Sequence, residues 1–138
     1  MWILTACLSA LFAGLTAVLA KAGVASTNST VATALRTVVV AAGAWGMAAL
    51  TGTASGVTSI DGTSALFLVL SGLATGASWL AYYHALKDGP ASVVVPIDKL
   101  SILVTVAVSA VAFHERFTPR YLLGLALMCA GTAAMVVA

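Results

Sequence analysis

Five long apolar stretches dominate the sequence and limit what it can fold into. They lie at about residues 2–20, 31–50, 63–86, 92–113 and 119–138. An α-helix rises about 1.5 Å per residue, so about 20 apolar residues cross a hydrocarbon core about 30 Å thick. Only 7% of the residues are charged, whereas a typical soluble domain has about 25%. We therefore predict an all-α, polytopic membrane protein with five transmembrane helices, a single domain over residues 1–138 that is embedded in the lipid bilayer.

Capping and stop signals mark the ends of the predicted helices. The first stretch ends at Lys21 and no basic residue precedes it, so we interpret it as a retained helix rather than a secretory signal. The polar residues 26–30 offer N-caps for the second helix, and the Lys-Asp-Gly-Pro run at 87–90 stops the third. Pro96 falls in the first turns of the fourth helix, where a missing N–H costs little or a local break is tolerated. A Thr-Pro pair at 118–119 opens the fifth helix.

Glycines recur inside the apolar stretches at spacings that suit close contact between helices. In a bilayer, lipid removes the hydrophobic drive for helix association, and small residues allow the backbones to approach each other. The predicted helix-packing positions are Gly14, Gly43, Gly72, Gly76, Gly124 and Gly131. This pattern concerns packing and implies no chemistry.

The basic side chains divide almost evenly between the two sides of the membrane. We call the side with the loop between the first and second helices the first-loop face; it also carries the third–fourth loop and the C-terminus. Lys21 and Lys87 lie at this face, and Arg116 and Arg120 lie at the opposite face. The positive-inside rule therefore favours neither orientation of the chain in the membrane by much. Two hypotheses follow: other features orient the chain, or copies insert in both directions and pair antiparallel, which is a dual topology.

Three charged residues fall within predicted spans, where each costs roughly 2.5–3.5 kcal/mol to insert. Arg36 lies in the second helix, and Asp98 and Lys99 lie in the fourth, all toward the first-loop face. Arg36 and Lys99 either snorkel to the headgroups or serve a functional site. Asp98 has a short side chain and needs a partner. Because adjacent residues do not share a helix face, we expect Asp98 to pair with Arg36 rather than with Lys99.

A histidine and several aromatic residues lie near the first-loop end of the third helix. His84 either titrates near neutral pH within a pathway or forms interfacial hydrogen bonds. Trp79 and Tyr83 share a helix face, and they form either a pocket wall or part of an interfacial aromatic belt. For proton-coupled transport, Asp98 is the first candidate and His84 the second. The predicted substrate or ion-pathway residues are Arg36, Trp79, Tyr83, His84, Asp98 and Lys99.

The sequence lacks the residues that several classes of function require. The sequence has no CxxC, no HExxH and no clustered His and Cys set, so we expect no metal and no cofactor. It shows no nucleophile–base arrangement, so we do not expect an enzyme. It has no basic run, so nucleic acid is not an expected partner. Cys7 and Cys129 lie in apolar stretches and are expected to be buried thiols rather than a disulfide.

The second half of the chain carries a family motif. The run at 91–117, ASVVVPIDKLSILVTVAVSAVAFHERF, has a Pro near its start and ends in Phe-His-Glu-Arg (113–116) before a glycine-containing helix. This run resembles the EamA domain of the drug/metabolite transporter superfamily, in which the fourth helix ends in a Leu-Gly-Glu-Arg type turn. The Glu and Arg match, and His114 replaces the usual Gly. Residues 9–24 and 32–40 also resemble the short, single-domain bacterial members.

The resemblance implies both an architecture and a function. Most EamA proteins contain two five-helix units, which are inverted relative to each other because five is odd. A single unit is then half of an inverted-repeat transporter and would complete it as an antiparallel homodimer. The implied function is a secondary transporter of a small metabolite, working by alternating access in the inner (plasma) membrane. The basic groups within the spans favour an anionic or zwitterionic solute. The alternative is a non-transporting membrane partner or structural subunit.

Overall fold

The computed structural model describes residues 2–137 of the chain. These residues form six α-helices and one short 3-10 helix, with no β-strand among them. The α-helices are α1 (Trp2–Val24), α2 (Ser29–Leu50), α3 (Gly62–Asp88), α4 (Ala91–Lys99), α5 (Ser101–Ala112) and α6 (Pro119–Val137). The 3-10 helix spans Ala54–Ser59, between α2 and α3.

Five helical segments are long and apolar enough to cross a membrane, with α4 and α5 together forming the fourth. The mean hydropathies of these segments lie between 1.4 and 2.2. Many of their large apolar side chains are exposed, such as Trp2 at 77% and Leu50 at 85%. Exposed apolar surface on this scale is favourable in lipid and unfavourable in water. The predicted all-α, polytopic membrane fold is confirmed.

Two helices extend past their predicted ends, and the Lys21 side chain joins them there. α1 continues through Lys21 to Val24, and α3 continues to Asp88 rather than ending near residue 86. The Lys21 ammonium donates to the Leu86 carbonyl oxygen at 2.5 Å and lies 3.5 Å from the carbonyl oxygen of Lys87. A cation beside the unpaired carbonyls of a helix C-terminus is favourable. Lys21 therefore caps α3 from α1 and does not stop its own helix.

Capping side chains begin two of the helices, as the sequence predicts. Asn28 Oδ1 accepts a hydrogen bond from the Thr30 amide at 2.9 Å, and α2 accordingly begins at Ser29. Thr118 Oγ1 accepts from the Tyr121 amide at 3.3 Å at the start of α6. Each bond satisfies an amide that the helix itself leaves unpaired.

A left-handed glycine ends α2. Gly52 has φ +70°, a conformation that costs glycine little. The Gly52 amide donates to the Ala49 carbonyl at 3.1 Å, and the Thr53 amide donates to the Ala48 carbonyl at 2.9 Å. These two bonds form a Schellman motif, which pairs the last carbonyls of the helix and turns the chain into the 3-10 helix.

The fourth span is interrupted at Leu100, whereas the sequence predicts one helix over 92–113. The Leu100 amide donates to the Ile97 carbonyl at 3.0 Å, only three residues back, which tightens the turn where α4 meets α5. Pro96 lies inside α4 just before this turn, and its missing N–H removes a bond from the helical ladder. The span as a whole, Ala91–Ala112, still has 22 residues and the length needed to cross.

Contacts divide the chain into two compact units, Met1–Asp88 and Gly89–Ala138. In the first unit, α3 packs against both α1 and α2. The buried residues of this unit lie where α1 ends, α2 begins and α3 ends, all at the first-loop face. They are Ala17, Ala20, Val24, Thr33, Tyr83 and Leu86. We call this cluster the closed end of the first unit. In the second unit, α4 packs against α5 and α6, and Thr132 of α6 is buried.

The glycines predicted for helix packing face open space within their own units. Among the described residues of the same unit, no heavy atom lies within 4 Å of a Cβ built at any of them. In the first unit the reason is that buried contacts concentrate at the closed end. The contacts expected at these glycines are therefore not made inside either unit. The glycines in question are Gly14, Gly43, Gly72, Gly76, Gly124 and Gly131.

Candidate functional site

A cleft of about 400 Å³ lies beside the closed end of the first unit. All three helices of this unit contribute to its wall, which is mostly apolar. Its polar residues are Thr16, Thr27, Arg36 and Tyr83. A small cavity with apolar walls and a few polar groups has the usual character of a small-molecule site. The lining residues are Thr16, Leu19, Ala20, Gly23, Thr27, Ala32, Leu35, Arg36, Val39 and Tyr83.

Arg36 is the charged residue of this cleft. It lies about 10 Å along α2 from Ser29, at about 1.5 Å per residue. Its Cζ atom lies 4.2 Å from the centre of the Trp79 ring and 5.7 Å from the centre of the Tyr83 ring. Because Trp79 and Tyr83 are four residues apart on α3, their rings present one continuous aromatic surface to the guanidinium. The structure thus brings together three of the six residues that the sequence singles out.

The closed end packs tightly next to the cleft at the first-loop side. Val24 and Leu86 are fully buried, and Tyr83 is 4% exposed. Lys21 stabilises the closed end, because its ammonium donates from the end of α1 to the carbonyls at the end of α3. The sequence indicates Lys21 only as a stop signal. Its partner lies 65 residues away, and no local pattern reveals a contact over that separation.

His84 lies outside the cleft. Its side chain is 73% exposed, and Nε2 lies 3.8 Å from Asp88 Oδ2, one helical turn further along α3. The neighbouring Tyr83 faces the helix bundle, so residue 84 faces away from it. This geometry matches the interfacial alternative that the sequence left open for His84.

Asp98 and Lys99 belong to the second unit, at the C-terminal end of α4. Lys99 Nζ lies 3.4 Å from Asp98 Oδ2, so Asp98 has the adjacent lysine as a partner. The adjacent pair that helix geometry disfavours is thus present within this unit, and the pairing of Asp98 with Arg36 stays a prediction. The helix ends at Lys99, and a flexible lysine side chain can reach back there. The Lys99 side chain is 58% exposed and the Asp98 side chain is 37% exposed. An ion pair with this much exposure to solvent contributes little to stability.

The turn between α5 and α6 explains one family feature. His114 has φ +54°, in the left-handed region that non-glycine residues adopt at a cost. Its Nδ1 lies 3.0 Å from the Val111 carbonyl oxygen. The EamA pattern usually has glycine at this position, which is the residue that this backbone conformation favours.

Asp61 caps α3 at the end of the helix opposite to the closed end. Its Oδ2 accepts a hydrogen bond from the Ser64 amide at 3.0 Å. Hydrogen bonds from the Ser64 side chain and amide to the carboxylate hold the pKa of Asp61 below its ordinary value. The sequence analysis does not name this cap, although an Asp directly before an apolar run is a usual N-cap signal.

Neither a metal cluster nor a disulfide is present among residues 2–137. No group of three or more His, Cys, Asp or Glu side chains in this range could hold a metal ion. Cys7 and Cys129 are free thiols. Cys7 is exposed rather than buried as expected, because the buried residues of α1 begin only at Ala17.

Comparison with known proteins agrees with these features. Residues 1–137 match the EamA-like transporter family. A Sinorhizobium sp protein described as "Uncharacterized transporter in cobO 3'region" is 47% identical over 136 residues, which cover 99% of this chain and 96% of that protein. No solved structure matches the chain significantly. Both matches support a transporter role rather than an enzymatic one, and the resemblance seen in the sequence is confirmed. This multi-pass membrane protein belongs to the EamA-like transporter family.

Proposed function

We propose that this protein is a secondary transporter of a small solute and that the cleft beside Arg36 is its binding site. The observation that carries the proposal is the placement of Arg36. A charged side chain within a membrane span is costly and marks a functional site by default. Here the guanidinium lies over the Trp79 ring and lines a cleft between three helices. A purely structural subunit has no need of such a site.

The proposed working form is an antiparallel homodimer. One chain supplies five spans, which is half of the ten-helix arrangement that the family resemblance implies. Because five is odd, only an antiparallel pair of copies reproduces an inverted repeat. The glycine surfaces of both units support this proposal, since they are open within each unit and suit close approach of helices from another copy.

Alternating access follows from pairing in this way. In an antiparallel dimer, the closed ends of the two first units face opposite sides of the membrane. We propose that Val24, Tyr83 and Leu86 separate in one copy while they remain packed in the other. Asp98, an acid within a span, is the proposed proton-coupling residue, with His84 as the second candidate. The proposed location is the inner (plasma) membrane.

Transport is tested with purified protein in liposomes loaded with a uniformly ¹³C-labelled bacterial metabolite extract. Under an imposed gradient, we expect mass spectrometry to show the loss of specific solutes from wild-type vesicles and their retention with Arg36→Gln. The matched control is Arg120→Gln, which removes the same charge at the start of α6. Solute profiles identical to those of protein-free liposomes would instead favour a structural subunit.

Dual topology is tested by cysteine labelling in a Cys7→Ala/Cys129→Ala background. Ser26→Cys and Gly56→Cys place thiols in the loops at the two ends of α2, where both residues are exposed. We expect an impermeant maleimide to label each site in about half of the molecules from either side. Complete labelling of each site from one side alone would rule out antiparallel pairing.

A further inference from the structure

The Arg36 guanidinium has no acidic partner within its own unit. A guanidinium carries five N–H donors, and among the described residues of the first unit Arg36 contacts two aromatic rings and donates to no carboxylate. The acids of this unit are engaged elsewhere. Asp61 caps the opposite end of α3, and Asp88 lies beside His84 on the exposed face. The positive charge of the cleft is therefore not neutralised by its own unit.

The aromatic contacts leave the hydrogen-bonding edges of Arg36 available. Trp79 and Tyr83 attract the guanidinium through their ring faces, which bind its charge but do not accept its in-plane N–H groups as a carbonyl would. A stacked guanidinium keeps a rigid, planar set of donors. The acceptor that best matches this set is a planar anion such as a carboxylate, which binds through two parallel hydrogen bonds.

A hydroxyl in the same cleft is also without a partner. The interior threonines of other helices donate to the carbonyl four residues back, as Thr33, Thr75 and Thr132 do. Thr16 lines the cleft and makes no such bond within the part of the chain that the structure describes. Its hydroxyl is thus a second polar group available to a ligand beside Arg36.

The rest of the cleft limits the ligand further. Among the described residues of the first unit no Asp or Glu lines it, so this unit offers nothing to neutralise an organic cation. Leu19, Leu35 and Val39 provide apolar walls, which favour a short hydrocarbon body. One guanidinium neutralises one negative charge. An ion pair without net charge costs far less free energy within a bilayer than a complex with net charge, so a ligand with a single negative charge fits best.

We propose that this cleft binds a small monocarboxylate with an apolar body, with its carboxylate on the Arg36 guanidinium and its body against α1 and α2. This proposal names the substrate class of the proposed transporter. It rests on the proposed function only in taking the bound carboxylate as the transported solute. Trp79 and Tyr83 act as positioning residues that hold the guanidinium plane. Binding itself is measurable without transport.

The test uses two sets of probes that match in shape and differ in charge. They are isovalerate, isovaleramide and isoamylamine, and phenylacetate, phenylacetamide and phenethylamine. The protein is Trp2→Phe/Trp45→Phe in dodecyl maltoside, a detergent without phosphate, so that fluorescence reports on Trp79 alone. We expect at least one carboxylate to change the fluorescence saturably and to bind at least about tenfold more tightly than its amide and its amine, since hydrogen bonds to charged groups exceed neutral ones.

Variants of Arg36 complete the test. Arg36→Gln should weaken carboxylate binding at least about tenfold, Arg36→Lys should restore part of it, and Arg120→Gln should leave it unchanged. Amides that bind as tightly as their carboxylates would overturn the proposal, and this comparison needs only the unsubstituted Arg36. Binding unaffected by Arg36→Gln, or a response to added phosphatidylglycerol but to no carboxylate, would overturn it as well. Carboxylate binding without vesicle transport would refute the proposed function alone, and transport confined to neutral or cationic solutes would refute this inference alone.

Discussion

Replacing Lys21 by methionine tests how the first unit is held closed at the first-loop face. The substitution keeps a long apolar stem but removes the ammonium that caps α3 at Leu86 and Lys87. A hydrogen bond to a charged group contributes about 1.5–3 kcal/mol, and a cation at a helix C-terminus contributes about 0.3–1 kcal/mol. Lys21 is only partly buried and its second contact is long. We therefore expect Lys21→Met to lower the free energy of unfolding by about 2 kcal/mol, roughly a 30-fold change in the unfolding equilibrium.

The assay is reversible unfolding in mixed dodecyl maltoside and SDS micelles, followed by circular dichroism. Lys87→Met is the matched control, because it removes the same charge at the same end from an exposed side chain. A second readout uses Val24→Cys, whose position is fully buried, in the Cys7→Ala/Cys129→Ala background. Its reaction with N-ethylmaleimide should accelerate when Lys21 is replaced. Equal stabilities for Lys21→Met and Lys87→Met, with no change in thiol reactivity, would refute the reasoning that Lys21 holds this end closed.

Three further substitutions have expected outcomes. His114→Gly should stabilise the protein by up to about 1 kcal/mol in the same unfolding assay, because glycine adopts a φ of +54° without strain; a clear loss of stability would mean that the imidazole bond to Val111 matters more. The folded-state pKa of Asp61 is depressed, so the stability from this cap is present above the ordinary carboxyl pKa of about 4 and is lost as pH falls through the lowered value. Asp61→Asn should accordingly flatten the acid limb of stability measured between pH 6 and pH 2, and an unchanged limb would contradict the cap's role. Asp98→Asn should abolish the pH dependence of solute flux in liposomes if Asp98 couples protons, and an unchanged rate and pH profile would leave it a structural residue.

Parts of the candidate site were predictable because they depend on local spacing. Trp79 and Tyr83 are four residues apart, so their shared helix face follows from helical geometry alone. Arg36 is conspicuous because a charge within an apolar span is rare and costly. The three side chains meet through a contact between α2 and α3. The sequence of one helix does not determine how the other helix is rotated about its own axis. The Asp98–Lys99 ion pair illustrates the same limit, since it depends on where α4 ends, at Lys99, and the apolar pattern predicts a helix that continues past this residue.

The sequence by itself determined the class of this protein. The length of an apolar stretch and its low content of charged residues are properties of that stretch alone. They therefore identify five membrane spans without any tertiary information. The tertiary structure decided where those spans meet. It placed the buried contacts at one end of the first unit, left the predicted glycine surfaces open within each unit and joined Lys21 to α3 across 65 residues. The physical reason is that hydrophobicity in lipid specifies that a helix is buried in the bilayer, whereas helix contacts depend on the packing and hydrogen bonds of residues far apart in the chain.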